Sequence, residues 1–457
     1  MSATSTKRSM KFMNKYPTVV RWSTSSKGVG LVALFFFLYF SLSSINYHQT
    51  DRYAHGKHDL GSDAAGYYIY LPGVFHYHMR GTAISAEVLR VSGQGFSVDV
   101  ERDKILTKYT CGAAILEFPF FLVGHALAGA DETDAWGPSF HKAIEVGGIF
   151  YFTLGLVLIY LTLRRWRLAS VGLLLLCIAC VAFGTNTFFY AFVEPGFSHV
   201  YSFFLVALSL YLAVRSREHG LKGSALWAFA ISNALIILIR PLDMIAVLAV
   251  YALIFIDNRN VLGSVRLWLV QTVTALIVAL PQMLYWKYAF DKWIVYSYGD
   301  EGFIYWASPK LAEVLASPFN GLLPHAPVFI LLPLALVVMY RQKRPTALLF
   351  TILFALIIYS CASWHSWHFG CAYGMRPLVQ YTPFLAICLL VLFAWAKEYK
   401  PHILNGTVSI LLLLCFINYR YMMYREPCYP GGDWDWKYYG RELAETFFGS
   451  LPTDQYR

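Results

Sequence analysis

Charge is what this 457-residue chain has least of: Asp, Glu, Lys and Arg together make up 14% of it, against about 25% in an ordinary soluble domain. Acidic residues are the scarcer sign, 27 against 37 basic, and none occurs before the first apolar stretch. Nucleotide-handling signatures are missing as well. There is no P-loop pattern and no Gly-x-Gly-x-x-Gly run between a strand and a helix, which excludes a recognisable nucleotide-hydrolysing site. No period of about 20 to 50 residues marks a solenoid, and no low-complexity tract interrupts the chain. Cys177 and Cys180 form a Cys-x-x-Cys, but neither a His nor a second such pair accompanies them, so no metal is expected. They lie in apolar runs with Cys361, Cys388 and Cys415, where a small packing role suffices. Cys111, Cys371 and Cys428 fall in expected outer segments, where a disulfide stays open.

What the chain does have is apolar surface: 57% hydrophobic residues, 17% aromatic, and a positive mean hydropathy. That composition predicts an all-α polytopic membrane protein, and runs long enough to cross a bilayer recur with basic punctuation, as at 28–47, 168–188 and 347–363. The net charge of +10 is concentrated in clusters at helix ends, such as Arg164, Arg165 and Arg167. These suit cytoplasmic anchors better than a nucleic-acid surface.

Six basic residues precede the first span, which places 1–27 in the cytoplasm as an uncleaved N-terminus. The first span then delivers a long outer loop, 48–141, that should hold structure of its own. Within it, 111–130 is apolar but carries Glu117 and Pro119. If it lies in the interface, the basic clusters at 164–167, 215–222, 259–266, 341–344 and 397–400 all face the cytoplasm. If it crosses, all five face outward, so the interfacial reading is preferred. About eleven transmembrane helices follow, within a membrane domain at 28–419. An outer C-terminal tail, 420–457, turns at Gly431-Gly432 and has a short helix over 441–448.

The distinctive residues fall on the outer side. Asp63, in Ser62-Asp63-Ala64-Ala65-Gly66-Tyr67-Tyr68, lies just past the first span, where partial desolvation would raise its pKa towards use as a general base. The plainer alternative is a helix cap. Glu194 is the only acid between Glu145 and Glu218, in an aromatic and apolar setting; a functional carboxylate and a structural ion pair both fit. His199 suits a polar helix end or a substrate contact. Arg240, which ends a span on the outer side, and Lys108 either anchor to lipid headgroups or bind a specific phosphate. The densest segment, Trp364 to Pro377, combines Trp364 and Trp367 with two glycines and Arg376. An aromatic belt explains the indoles but not glycine and arginine together; stacking on a sugar and gripping a phosphate explain both. The 291–324 loop is long enough to cover such a pocket.

In this order the features resemble the GT-C superfamily of polytopic glycosyltransferases, specifically the bacterial type that uses polyprenyl-phosphate sugars. The resemblance rests on Ser62-Asp63-x-x-Gly66-Tyr67-Tyr68-x-Tyr70-Leu71-Pro72, Lys108-Tyr109-Thr110-Cys111-Gly112 with Pro119-Phe120-Phe121, Glu194-Pro195-Gly196-Phe197-Ser198-His199, and Trp367 with Gly370 and Gly374-Met375-Arg376. It implies a GT-C-like fold and a catalytic base at Asp63. Many members carry two adjacent acids there, whereas this chain has Ala64 and Ala65. Asp59 or Glu194 is then the candidate second carboxylate.

The resemblance also implies transfer of a sugar, with inversion, from a polyprenyl-phosphate donor to an envelope glycan, lipid or protein acceptor. Tyr67, Tyr68, Lys108, His199, Arg240, Trp364, Trp367 and Arg376 would bind substrate. No cofactor or metal is expected, membrane lipids surround the chain, and the site would face the periplasm or exterior from a bacterial inner membrane. The competing reading is a non-enzymatic flippase or transporter of lipid-linked sugars. That class favours ionisable residues near mid-membrane and paired interrupted helices, whereas the acids here cluster at the outer boundary. A structural partner in an envelope assembly is the third reading.

Overall fold

The computed structural model describes residues 26–51, 60–130, 132–370, 372–424 and 435–448. The expected cytoplasmic N-terminus, Asp59, Cys371, Cys428 and the Gly431-Gly432 turn lie outside them. The described chain is almost wholly helical. Its elements are α1 (Ser26–Asp51), α2 (Asp63–Tyr68), α3 (Tyr70–Phe75), α4 (Ala86–Ser92), β1 (Ser97–Asp99), β2 (Lys104–Leu106), α5 (Gly112–Leu127), α6 (Pro138–Arg165) and α7 (Val171–Phe183). There follow α8 (Thr187–Phe192), α9 (Ser198–His219), α10 (Gly223–Ile239), α11 (Met244–Asn258), α12 (Val265–Phe290), α13 (Leu311–Ala316) and α14 (Leu322–His325). The series ends with α15 (Leu332–Gln342), α16 (Arg344–Ser363), α17 (Thr382–Tyr399), α18 (Pro401–Tyr424) and α19 (Trp436–Phe448).

Eight helical stretches among the described residues are long and apolar enough to cross a membrane, as the composition leads one to expect of an all-α polytopic membrane protein. Three of the eleven expected spans fall instead on shorter apolar helices, at Val171–Phe183, Gly223–Ile239 and Pro327–Gln342. Proline shapes several boundaries: it occupies the first turn of α6, α15, α16 and α17, where its missing N–H has no helical partner to lose.

Burial sorts the helices into inner and outer. The stretch leading through α17 is 94% buried, whereas α1 is 11% buried and exposes Leu31, Phe35, Leu38 and Leu42. Side chains of that kind on an unpartnered face suit lipid. At the centre, α9 packs against α6, α10 and α11, and α17 packs against α15 and α7. The basic helix ends gather at one pole. Arg165 pairs with Glu218 at 2.7 Å, Arg217 with Asp257, and Lys397 lies 3.5 Å from Ser170 Oγ.

The segment after α1 does hold structure of its own. A two-stranded antiparallel hairpin pairs Ser97 with Leu106, Val98 with Ile105 and Asp99 with Lys104. Its turn residue Asp103, at φ 53°, accepts from Thr82 N and Oγ1, both at 2.7 Å, and from Arg80 Nε at 2.8 Å. Those bonds hold the Asp103 carboxyl down at about 2. On the other side, Tyr285 and Tyr288 of α12 accept the backbone N–H groups of Thr107 and Ile105, at 2.7 and 3.0 Å. The hairpin is thus pinned between a short turn and a long helix, and it presents Lys108 and Tyr109 to the interior.

Candidate active site

Asp63 is the first residue of α2; Ser62, at the N-cap, makes no side-chain cap bond, and the Asp63 carboxylate is engaged elsewhere. Ser62 enters at φ 52°, with its N–H bonded to Ser92 O at 2.9 Å, and this turns the Asp63 carboxylate inward. One oxygen accepts from Tyr109 Oη at 2.5 Å, and the other meets Arg376 Nη2 at 2.8 Å. Gly66 makes the first contact possible. A Cβ there would overlap the Tyr109 ring and the Gly95 carbonyl, so only glycine lets α2 and the segment carrying Tyr109 approach. Thr107 Oγ1 adds a bond to Gly66 O at 3.0 Å.

Arg376 arrives on a loop that is fixed from behind. Buried Asn320 donates to His368 O and Gly370 O, both at 2.9 Å, and accepts from Gly374 N at 3.2 Å. Asn186 Nδ2 donates to Tyr373 O at 3.1 Å, and Tyr373 Oη donates to Asn418 at 2.9 Å. Gly374, at φ 66°, leaves no room for a side chain against His325. The guanidinium that results lies over the Phe197 ring at 5.2 Å.

These groups border a cavity of about 1260 Å³. Its polar end carries Asp63, Glu194 and Glu301 against Lys108, Arg240 and Arg376. Lys108 Nζ is 2.5 Å from Glu301 and lies over the Tyr109 and Tyr298 rings at 5.5 and 5.6 Å. Among the described residues Arg240 has no carboxylate in ion-pair contact; its nearest recorded bond is Nη1 to Ser198 Oγ at 3.4 Å. Away from this end the cavity turns apolar and runs between α10 and α12. There it is bordered by Ala234, Ile237 and Leu238 and by Gln271, Ala275 and Ala279, the latter at the four-residue spacing that forms one helical stripe. No group of three or more His, Cys, Asp or Glu among the described residues is arranged to hold a metal ion.

The electrostatics correct one expectation. Burial pushes the Asp63 carboxyl up, but Arg376, the Tyr109 hydroxyl and the more distant Lys108 and Arg240 outweigh it and hold it below the ordinary 3.8. The anticipated rise is overturned by the Arg376 contact. The Tyr109 phenol moves the other way, raised by burial and then by Asp63, and stays a donor.

Of the residues singled out from sequence, Asp63, Tyr67, Lys108, Glu194, Arg240, Trp364 and Arg376 all line the cavity. Three do not. Tyr68 is buried on the opposite side of α2, donating to Ala135 O at 2.8 Å and packing edge-on against Trp136. His199 lies behind the cavity, its Nδ1 3.3 Å from Gln380 Oε1. Trp367 packs against the helical core. These three, expected as substrate contacts, lie outside the cavity lining.

Sequence reasoning missed Tyr109 as the partner of Asp63 and missed Asp243 altogether. Asp243 is buried and accepts from Gln380 Nε2 at 3.0 Å on each oxygen and from Tyr381 Oη at 3.2 Å. A signal existed, because Asp243 is an isolated acid three residues beyond Arg240 in an apolar stretch, the same anomaly that singles out Glu194. Comparison with protein-family models, with curated proteins and with solved structures found no match to this chain.

Proposed function

We propose that this chain is a glycosyltransferase of the GT-C type, with about eleven membrane crossings, that moves a sugar from a polyprenyl-phosphate donor to an envelope acceptor on the outer face of a bacterial plasma membrane. The observation that carries the reading is the 2.8 Å contact between Asp63 and Arg376. It sits at the polar end of a cavity whose far end is apolar. A lipid-linked sugar has the same division: a charged phosphate and a sugar at one end, and an isoprenoid chain suited to the groove between α10 and α12.

Catalysis follows from competition for one guanidinium. At rest Arg376 holds the Asp63 carboxylate, which makes it a weak base. A donor phosphate first meets Arg240, which is in ion-pair contact with no carboxylate among the described residues, and then draws Arg376 to itself. Asp63 keeps its Tyr109 bond and its orientation while losing the cation that depressed its basicity. The acceptor oxygen attacks the anomeric carbon as its proton passes to Asp63. The bond from that carbon to the phosphate oxygen breaks, and the electron pair leaves with the lipid phosphate, whose charge Arg376 and Arg240 stabilise. Glu194 and Trp364 line the same end and are placed to orient acceptor and sugar.

The test is sugar transfer from a panel of radiolabelled polyprenyl-phosphate sugars by wild type and Asp63→Asn, with the folding of both checked by thermal transitions. Transfer by wild type and at least a hundredfold loss, on the order expected for a general base, in a folded Asp63→Asn chain is the expected result. Movement of the lipid-linked sugar across a vesicle membrane without transfer, unchanged by the substitution, would replace this reading with the flippase.

A further inference from the structure

The basic pole, at the other end of α9 from the cavity, contains a second arrangement of charge that the proposed reaction does not use. Phe197 and Ser198 open α9 at the cavity and Arg217 lies near its end. At 1.5 Å per residue the two are about 30 Å apart, the thickness of a hydrocarbon core. Trp166, which closes α6, is buried there. The Lys343 ammonium lies 4.5 Å from its ring centroid and the Arg217 guanidinium 4.9 Å. Arg217 is held by Asp257, with Nε 2.6 Å from the carboxylate. Among the described residues Lys343 has no carboxylate in ion-pair contact and the buried Trp166 indole N–H has no acceptor.

A buried donor without an acceptor is costly unless something supplies one. A helix-end anchor explains exposed arginines such as Arg164, Arg167, Arg341 and Arg344, but not a half-buried lysine held against a buried indole whose N–H lacks an acceptor among the described residues. We propose that Trp166 Nε1 and Lys343 Nζ, backed by Arg217, form a binding site for the phosphate of an acidic membrane lipid in the leaflet opposite the cavity. A phosphate offers acceptors to both donors and balances the second cation. Burial pushes the Lys343 ammonium down from its usual range, Arg217 adds to this, and Asp257 offsets part of it; a bound anion would act in the same sense as Asp257. Glu218, the other acid at this pole, is engaged by Arg165 at 2.7 Å and Arg167 at 3.7 Å.

The experiment uses the full chain purified in detergent and measures retained lipid by native mass spectrometry, with phosphatidylglycerol against phosphatidylcholine. Wild type is expected to retain the acidic lipid about tenfold better. Lys343→Gln should lower that affinity about tenfold and Trp166→Phe, which keeps the ring and removes the N–H, about threefold. Arg167→Gln, which removes an exposed charge of the same sign, should stay within about twofold. Equal losses in Lys343→Gln and Arg167→Gln would reduce the effect to general surface attraction and overturn the site. Displacement of the lipid by inorganic phosphate at millimolar concentration would assign the site to a soluble anion instead.

Discussion

Asp63 is where residue-scale physics makes the sharpest demands. Its folded carboxyl titrates below the ordinary 3.8, so the stability it contributes is fully present above that value and is lost as pH falls through the folded one. Thermal transitions followed from neutral pH downwards should show a fall in wild type that is smaller in Asp63→Asn; parallel curves would mean that the Arg376 contact contributes nothing. Gly66→Ala is expected to cost about 1–3 kcal/mol through overpacking and to abolish transfer by displacing Tyr109, whereas Gly172→Ala, where a Cβ meets nothing, should be neutral in both assays. The acid and the arginine were legible in the sequence because isolated charges in an apolar chain are anomalous. Which of them touch was not. Asp63 was expected to work as a free base and Arg376 to hold a phosphate, but their 2.8 Å contact joins positions that no local spacing relates. Tyr68 and His199 fall off the cavity lining for different reasons: Tyr68 faces the opposite side of the short α2, and His199, in the first turn of the long α9, turns to Gln380.

Elements were legible to within a few residues wherever an apolar run was continuous. The apolar runs at 28–47 and 347–363 correspond to α1 and α16, the run at 168–188 is shortened to α7, and the tail helix expected over 441–448 begins earlier, at Trp436. Less legible was the segment before α5, whose short helices and hairpin depend on tertiary partners such as Tyr285 and Tyr288. Within the 291–324 loop, the part over 291–310 is fastened. Ser297 Oγ donates to Lys108 O at 2.6 Å, Glu301 holds the Lys108 ammonium, and His365 N donates to Gly302 O at 2.8 Å. Glu301→Gln should loosen one of these ties. A pair that is still about a third exposed is worth about 1 kcal/mol at most, so limited proteolysis within 291–310 should quicken by about two- to fivefold while the melting temperature moves little. A large loss of global stability would instead show that the pair supports the whole bundle.

For the whole molecule, the cavity and the basic pole lie at opposite ends of α9, so the two should be reached from opposite sides of the membrane. An impermeant maleimide applied to intact cells should label Asp300→Cys and not Arg167→Cys, and permeabilisation should reverse the second result. Labelling of both from the same side would overturn the sidedness inferred from the basic clusters. The polar end itself has a consequence for biogenesis. Asp63 belongs to the second described helix, while Arg376 waits until just before the seventeenth. During synthesis the carboxylate is therefore inserted long before its cation exists, and no amino-terminal fragment contains a complete site. A chain that stops short of Arg376 leaves the Asp63 carboxylate without that cation, so the contact is completed only when most of the bundle has been made.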